Sequence, residues 1–198
     1  MKQFSIKKNL LKAAAAAAAN NDPRYYINGV FLDKETGEIK ATDGHVLCII
    51  KHEELKEIDE DIFIPNIVLG AVLKDRESDI ANIEIREDCI AVGALEFKKP
   101  DTSDFPKTQR IEEYAKDPAM IEDVINQNLA IDISLIKKLD KCQKSLGFKH
   151  PIFFPFYLSN KNKDGGICSI LFKFKKFLLD SLFQLFSIKI EVLKSFLL

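Results

Sequence analysis

The segment 22–50, DPRYYINGVFLDKETGEIKATDGHVLCII, carries the strongest fold signal in the sequence. Its aromatic and β-branched residues at 25–32 predict a strand. The KETG turn at 34–37 then leads into a returning strand at 38–42. Asp43-Gly44 is a second turn signal, and the apolar run 46–50 follows it. Short strands joined by tight turns predict an antiparallel sheet.

The flanking sequence alternates between helix and strand signals. A short strand at 4–6 precedes an alanine-rich stretch, 7–19, which predicts a helix because alanine has the highest helix propensity. Residues 62–64 predict a strand, and 66–74 a helix with Asn66 as its N-cap. Apolar and polar residues alternate over 81–98, which predicts antiparallel strands with one solvated face.

A loose internal repeat suggests a duplicated unit. At an offset of 125 residues, 129–137 repeats the pattern of 4–12, and 150–157 falls on the strand 25–32. The matched positions are Phe4, Ile6, Leu10, Leu11 and Lys12 with Leu129, Ile131, Leu135, Ile136 and Lys137. We therefore expect an α+β fold of two repeated units, 1–115 and 120–198, each with helices packed on antiparallel sheet. In the atypical C-terminal tail, the apolar spacing at 177–186 predicts an amphipathic helix.

Composition indicates a globular protein whose charge is unevenly distributed along the chain. Residues 1–125 carry 17 basic and 25 acidic side chains, whereas 126–198 carry 12 and 5. The four cysteines are too far apart in sequence for a metal knuckle or a redox pair. No apolar run has the length of a membrane span or a secretion signal. These features predict a reduced, cytoplasmic protein with no membrane partner.

A catalytic set is not evident. Asp43, His45 and Cys48 are close in sequence, but strand alternation places His45 and Cys48 on opposite faces. The three histidines lack the spacing of metal ligands, and the sequence has neither a nucleophile motif nor a phosphate-binding glycine loop. The sequence thus predicts no catalytic residues, no metal and no cofactor, and the protein is not expected to be an enzyme.

Two segments resemble the middle domain of the bacterial DNA polymerase III beta subunit, the sliding-clamp family. RYYING at 24–29 and ATDGHVL at 41–47 have the family's spacing, and DFPKTQRI at 104–111 resembles the segment that closes that domain. Beyond residue 126 the resemblance is to part of the C-terminal domain and is weaker. Val46 stands where the family has an arginine, and Lys107-Thr108 where it has an acidic-aromatic pair.

The resemblance implies a non-enzymatic DNA polymerase processivity factor. Clamp domains line a ring with helices toward the hole, where lysines hold double-stranded DNA without reading its sequence. The positions implied to contact DNA are Lys7, Lys8, Lys12, Arg24, Tyr25, Tyr26, Lys137, Lys138, Lys141 and Lys144. The same lysines also suit the solvated faces of two ordinary helices, and one tyrosine of the pair is expected to be structural.

The resemblance also implies a hydrophobic groove for short peptides of DNA polymerase and other clamp-binding proteins. The matched positions are Ile27, Thr42, Gly44, His45, Val46, Leu47, Pro106 and Ile111. A clamp loader and a homo-oligomeric ring are further implied partners; two-domain chains would need three copies to supply six domains. The alternative is a clamp-like fragment or regulator, from a mobile element or a degraded gene, that binds clamp clients or clamp subunits without encircling DNA.

Overall fold

The computed structural model describes residues 2–108, 133–147, 155–160, 168–175 and 185–192, and in the last three stretches the backbone alone. It has three α-helices within these residues: α1 (Lys8–Ala15), α2 (Asn66–Val72) and α3 (Ile133–Ser145). The strands of the first part are β1 (Lys2–Lys7), β2 (Gly29–Asp33), β3 (Glu38–Thr42), β4 (Val46–Lys51), β5 (Ile62–Pro65), β6 (Ile80–Ile85), β7 (Cys89–Val92) and β8 (Leu95–Lys98). Those of the last part are β9 (Pro155–Asn160), β10 (Cys168–Lys175) and β11 (Leu185–Val192).

The strands form two antiparallel sheets, which confirms the α+β prediction. One sheet has the order β1-β6-β7-β8, and the other has the order β5-β2-β3-β4-β11-β10-β9. In the larger sheet Phe31 pairs with Lys40, and Thr42 pairs with Leu47. Strand β11 pairs with β4, so that one sheet runs from the first part of the chain into the last.

The helices cover one face of the larger sheet. Apolar side chains of α1, α2 and α3 share one buried cluster with alternate residues of β2, β3 and β4. From α1 this cluster contains Leu10, Leu11, Ala13 and Ala14, and from the sheet it contains Val30, Leu32, Ile39, Ala41, Val46, Cys48 and Ile50. The alanines lack bulk, so α3 approaches the α1 backbone closely: Cys142 Sγ donates to the Ala13 carbonyl at 3.1 Å.

The two long helices agree with the repeat. Helix α3 begins at Ile133, and α1 begins at Lys8, which is the offset of 125 residues. Leu10 and Leu135 are both buried. Lys12 and Lys137, at the same offset, are both exposed. The strand predicted around Leu129 and Ile131 lies outside the described residues. Because α3 packs into the same cluster as α1, the described core does not divide between the proposed units, and their boundaries stay a prediction.

The strand predicted at 25–32 begins only at Gly29, which corrects that assignment. Residues Tyr25–Ile27 form a 3₁₀ turn instead. The Asn28 side-chain amide donates to the carbonyls of Asp22 at 2.6 Å and Arg24 at 3.2 Å, and these bonds fold the chain back before the strand. Local side-chain hydrogen bonds of this kind compete with strand pairing.

Two helix boundaries also differ from prediction. Helix α1 ends at Ala15, since the Ala19 N–H turns away to the carbonyls of Ile27 at 3.0 Å and Thr42 at 3.2 Å. Helix α2 ends at Val72, and Pro65, not Asn66, is its N-cap. The Asn66 side chain donates to the Ala19 carbonyl at 2.6 Å, so it joins two segments rather than capping a helix.

The tail provides a further correction. Leu185, assigned to a helix from its apolar spacing, is the first residue of β11, which pairs along β4 and β10. Sheet pairing between distant segments overrides a local helical pattern in this case. None of the helices that the structure describes is long and apolar enough to cross a membrane.

Candidate functional site

Exposed lysines of α1 and α3 form the most basic surface among the described helices. Lys137, Lys141 and Lys144 recur at helical spacing on the exposed face of α3, opposite the buried Leu139. Lys12 is exposed on α1, which packs beside α3. Within the described parts of the chain, Lys12, Lys137 and Lys141 have no ion-pair partner, whereas Lys144 contacts Asp140 at 2.7 Å. We call Lys12, Lys137, Lys141 and Lys144 the lysine face.

Two other candidate lysines are held by carboxylates. Lys8 Nζ donates to Asp75 Oδ2 at 2.7 Å and to the Asp75 carbonyl at 3.0 Å, and its side chain is mostly buried. The hydrogen bond from Lys8 lowers the pKa of Asp75. Lys138 forms an ion pair with Asp43 in the turn between β3 and β4. Both lysines thus hold the fold together. Lys7, at the end of β1, is exposed.

The loop before β2 is engaged with acidic groups. Arg24 forms paired hydrogen bonds with Asp22 at 2.8 and 2.9 Å, which lower the pKa of that carboxyl to about 2. Tyr25 donates its hydroxyl to Asp104 at 2.6 Å, and this bond raises the pKa of Tyr25 to about 12. Tyr26 packs edge-on against Tyr25, with ring centroids 5.5 Å apart. The carboxylates beside Arg24 and Tyr25 would repel a phosphate backbone.

The turn between β3 and β4 is built by Asp43. Its Oδ1 accepts the N–H groups of His45 and Val46, both at 2.8 Å, and Gly44 follows with a φ of +91° that favours glycine. Burial opposes ionisation of Asp43, but the Lys138 ammonium and the two N–H groups outweigh it, so that its pKa is lowered. Asp43 therefore orders the turn and also binds α3.

The predicted groove residues lie on two sides of the larger sheet. Val46 points into the helix-covered cluster and is 0% exposed. Its neighbour Leu47 points to the opposite face, where it pairs with Thr42. The carbonyls of Ile27 and Thr42 both accept a hydrogen bond from the Ala19 N–H, so the two residues lie close together. Ile27, Thr42 and Leu47 are all buried, while Gly44 is half-buried and His45 exposed in the turn. Ile111 lies outside the described residues.

A cleft adjoins this sheet face. Its volume is about 370 Å³, and it is lined by Phe31, Lys40, Phe105, Pro106 and their neighbours. Phe31 and Phe105 stack with ring centroids 4.3 Å apart. Lys40 and Thr42 lie on the same side of β3, so the cleft that Pro106 lines opens toward the sheet face that carries Leu47.

A buried charge cluster underlies the cleft. Lys40 Nζ lies 2.7 Å from Asp33 Oδ2 and 3.1 Å from Glu38 Oε2, and Lys40 is only 3% exposed. Burial would lower the pKa of Lys40, yet the two carboxylates raise it above its ordinary value. Burial likewise opposes ionisation of Asp33, but hydrogen bonds from Lys40 and Thr36 hold its pKa below the ordinary value. The cluster is a structural ion network in the sheet.

The residues considered for catalysis do not converge. Asp43 is bound to Lys138, His45 is exposed, and Cys48 is buried among apolar side chains. Within the described residues no group of three or more histidine, cysteine or carboxylate side chains is arranged to hold a metal ion. Cys48 and Cys142 are both buried in the main apolar cluster, and the interaction with Cys142 together with burial raises the pKa of Cys48 well above its ordinary value.

Solved structures of similar fold are bacterial DNA polymerase III beta subunits. The Thermotoga maritima protein matches 98% of this chain and 65% of its own at 14% identity, with a TM-score of 0.58. The Borrelia burgdorferi protein also matches 98% and 65%, at 13% identity and a TM-score of 0.60. The fold is that of a bacterial sliding clamp. A sliding clamp from Bartonella birtlesii matches 96% and 65% at 15% identity, with a TM-score of 0.55.

The sliding-clamp likeness rests on structure. No family model and no curated protein matches the sequence. The chain spans 65% of the length of each of these three clamps. The resemblance found in RYYING and ATDGHVL is therefore confirmed at the level of fold. The carboxylate partners Asp43 and Asp75 were missed because nothing local in the sequence points to partners so far along the chain.

Proposed function

We propose that this protein is a sliding-clamp-type processivity factor that holds double-stranded DNA and carries no catalytic site. The observation that carries the proposal is the lysine face on two adjacent helices of a sliding-clamp fold. Lys12, Lys137 and Lys141 are exposed, and no carboxylate in the described part of the chain pairs with them. Lys7, exposed at the end of β1, is a further candidate for the DNA contact. The proposal places the protein in the cytoplasm, where DNA replication takes place in bacteria.

The chemistry of lysine suits a protein that must slide. A mobile ammonium on a flexible stem neutralises phosphate without a fixed bidentate contact, so binding is sequence-independent and salt-sensitive. Lys8 and Lys138, which are held by Asp75 and Asp43, contribute to this role through the fold alone. Arg24, bound to Asp22, and the adjacent Tyr25 and Tyr26 take no part in the proposed DNA contact.

Charge reversal tests the DNA contact. A variant with Lys12, Lys137 and Lys141 changed to Glu should lose DNA binding at moderate salt, measured by fluorescence anisotropy with a labelled duplex. A matched control changes three exposed lysines elsewhere, Lys51, Lys98 and Lys107, to Glu and so alters the net charge equally. Loss of binding in the first variant alone supports the lysine face. Equal loss of DNA binding in both variants would mean that the change in net charge alone explains the loss, and it would contradict the proposal.

The client-binding role rests on the sheet face that carries Thr42 and Leu47. We propose that a polymerase or repair peptide with a glutamine and spaced Leu or Phe anchors docks there, between the turn at Gly44 and the cleft at Pro106. Apolar anchors that bury on this face would supply most of the affinity. Val46 supports this site only from the core, and because the family's arginine is absent at position 46, no arginine there binds the peptide. A clamp loader and further copies of the chain are the remaining partners in this proposal.

A non-encircling clamp relative is the second candidate. Its support is the engagement of Lys8, Arg24 and Lys138 with carboxylates, which leaves fewer cations for DNA. Light scattering on the purified protein separates the two candidates. A closed homo-oligomer supports encirclement, whereas a monomer that still binds client peptides supports the alternative.

A further inference from the structure

The smaller sheet ends on a strand that no described segment covers. Strand β8 is the last in the order β1-β6-β7-β8, and within the described residues only β7 pairs with it. Leu95 lies opposite Val92, and Phe97 lies opposite Ile90. Both residues of β7 are buried, whereas Leu95 is 37% exposed and Phe97 is only partly buried. The apolar side of the sheet is therefore open at this edge.

We propose that β8 is an interface for a second copy of this chain, in which the two β8 strands pair antiparallel about a two-fold axis. The backbone of β8 is arranged for such pairing. The Lys99 N–H donates to the carbonyl of Asp88, in the turn before β7, at 3.2 Å. Hydrogen bonding alternates along an antiparallel strand, so every second residue back from Lys99 also bonds toward β7. Glu96 and Lys98 lie between these residues, and their N–H and C=O groups point outward to the free edge.

Charge selects one register for the two strands. Glu96 and Lys98 are both exposed, on the side of the strand opposite Phe97. A register that places Glu96 opposite Glu96 of the second copy, or Lys98 opposite its Lys98, is unfavourable because like charges meet. The register centred on Phe97 instead places Glu96 opposite Lys98 of the second copy, twice by symmetry. These are also the residues whose backbone groups point outward, so the hydrogen bonds and the charges favour the same register.

The same register continues the apolar side of the sheet. Ile85, Ile90 and Phe97 form one row across β6, β7 and β8, and at the axis Phe97 would meet Phe97 of the second copy. Aromatic and opposite-charge pairs across neighbouring strands both stabilise a sheet, and added backbone hydrogen bonds supply affinity. The contact is self-complementary, as a two-fold dimer requires. Because one short strand from each copy takes part, the dimer should dissociate on dilution.

The other edge of this sheet offers no such match. Strand β1 carries Lys2 and Lys7 and no acidic side chain. Two β1 strands therefore have no register that places opposite charges across from each other, and the choice of β8 follows from its own sequence.

Sedimentation velocity of the full chain over a concentration series tests the interface. Wild type should show an equilibrium between monomer and dimer. Glu96→Lys and Lys98→Glu should each raise the dissociation constant about ten-fold or more, because each places like charges opposite at both symmetric positions. An equimolar mixture of the two variants should dimerise to within about three-fold of wild type, since each lysine then meets a glutamate of the other chain. Lys7→Glu, on the other edge of the sheet, should leave the equilibrium unchanged.

The variants need a check of folding. Glu96 also forms an ion pair with Arg86 of its own chain, so circular dichroism should establish that Glu96→Lys is folded. Lys98 has no ion pair within the described residues, and Lys98→Glu therefore tests the register even if the other variant does not fold. Lys98→Glu also belongs to the control variant of the DNA-binding test, so its assembly state should be measured before that comparison.

Three outcomes would overturn the proposal. One is a wild-type chain that stays monomeric at the highest concentration. Another is an assembly that folded Lys98→Glu leaves intact, which would place the contact on a different surface. The third is a pair of folded single variants that stay monomeric when mixed. The experiment contains no DNA and no client peptide, so these outcomes leave the lysine face and the docking face untouched.

Discussion

Lys138 on α3 forms an ion pair with Asp43 in the β3–β4 turn, across 95 residues of sequence. The pair ties the second long helix to the segment that resembles the clamp family most strongly. Asp43 is mostly buried and also accepts the N–H groups of His45 and Val46. One carboxylate therefore orders the turn and anchors α3.

Removal of this ion pair should destabilise the protein. Lys138→Ala should lower the free energy of unfolding by about 1–2 kcal/mol at pH 7, because Asp43 keeps its two backbone donors but loses its cation. Lys141→Ala should change it by less than about 0.5 kcal/mol, since Lys141 is exposed.

Because the folded pKa of Asp43 lies below its ordinary value of 3.8, the contribution of Asp43 to stability is present above that pH. It is lost as the pH falls through the lowered folded value. Urea denaturation at pH 7 and pH 3 measures both effects; a Lys138→Ala variant as stable as wild type at pH 7 would contradict the account.

The buried network of Lys40, Asp33 and Glu38 predicts a larger effect. Lys40→Met should cost about 3–5 kcal/mol near neutral pH, because it leaves two carboxylates without their cation on the buried side of the cleft. Lys51→Met on the next strand, where the lysine is exposed, should be nearly neutral.

The pH dependence of that cost follows from the shifted pKa values. The pKa of Asp33 is depressed below 3.8, so its stabilising effect disappears as the pH falls through its folded value. The pKa of Lys40 is raised above 10.5, so its effect is complete below that pH and disappears as the pH rises through its folded value. Chemical denaturation across this range should show the wild-type advantage fading at both ends. A constant difference between wild type and variant would refute the assignment.

The placement of Val46 predicts that the family's arginine cannot be restored there. Val46→Arg should lower the free energy of unfolding by at least about 3 kcal/mol, because a guanidinium would enter the apolar cluster without a partner. His45→Arg, one residue earlier in the exposed turn, should leave stability almost unchanged. A stable Val46→Arg variant with tighter peptide binding would mean that this side chain faces the groove.

Peptide titration tests the client-binding face. We expect a peptide with a glutamine and spaced Leu or Phe anchors to bind with a Kd no tighter than micromolar, on the order of −8 kcal/mol. Leu47→Ala should weaken binding about ten-fold or more, since the proposed docking face loses an apolar side chain. Leu69→Ala in α2 removes a comparably buried leucine on the helix side and controls for lost stability. Equal affinities for the two variants in calorimetry would exclude this face as the docking site.

The sequence predicted the elements whose signals are local. The turns at 34–37 and at Asp43-Gly44, the strands around them and the helical character of 8–15 all follow from residue type and period. The offset of 125 also placed the start of α3 correctly relative to α1. Such features need no knowledge of what packs against them.

Features set by distant partners were not predictable. The sequence predicts Asn66 as an N-cap, but its amide donates to Ala19. It predicts Tyr25 as a strand residue, but the Asn28 amide bends the chain into a turn. Lys8 is indistinguishable in sequence from an exposed lysine until Asp75 is found beside it. Alternation also places Val46 and Leu47 on opposite faces of one strand, whereas motif matching assigned both to one groove.

The most direct test of the account is retention of the protein on circular and linear DNA. A ring that encircles DNA through the lysine face should remain on a nicked circular plasmid during gel filtration at moderate salt, and cutting the plasmid once should release it. The variant with Lys12, Lys137 and Lys141 changed to Gln should show reduced retention. Its plot of log K against log salt concentration should be less steep, by an amount that corresponds to roughly three phosphate contacts. Protein that stays bound equally to circular and linear plasmid, or that elutes free of both, would contradict encirclement.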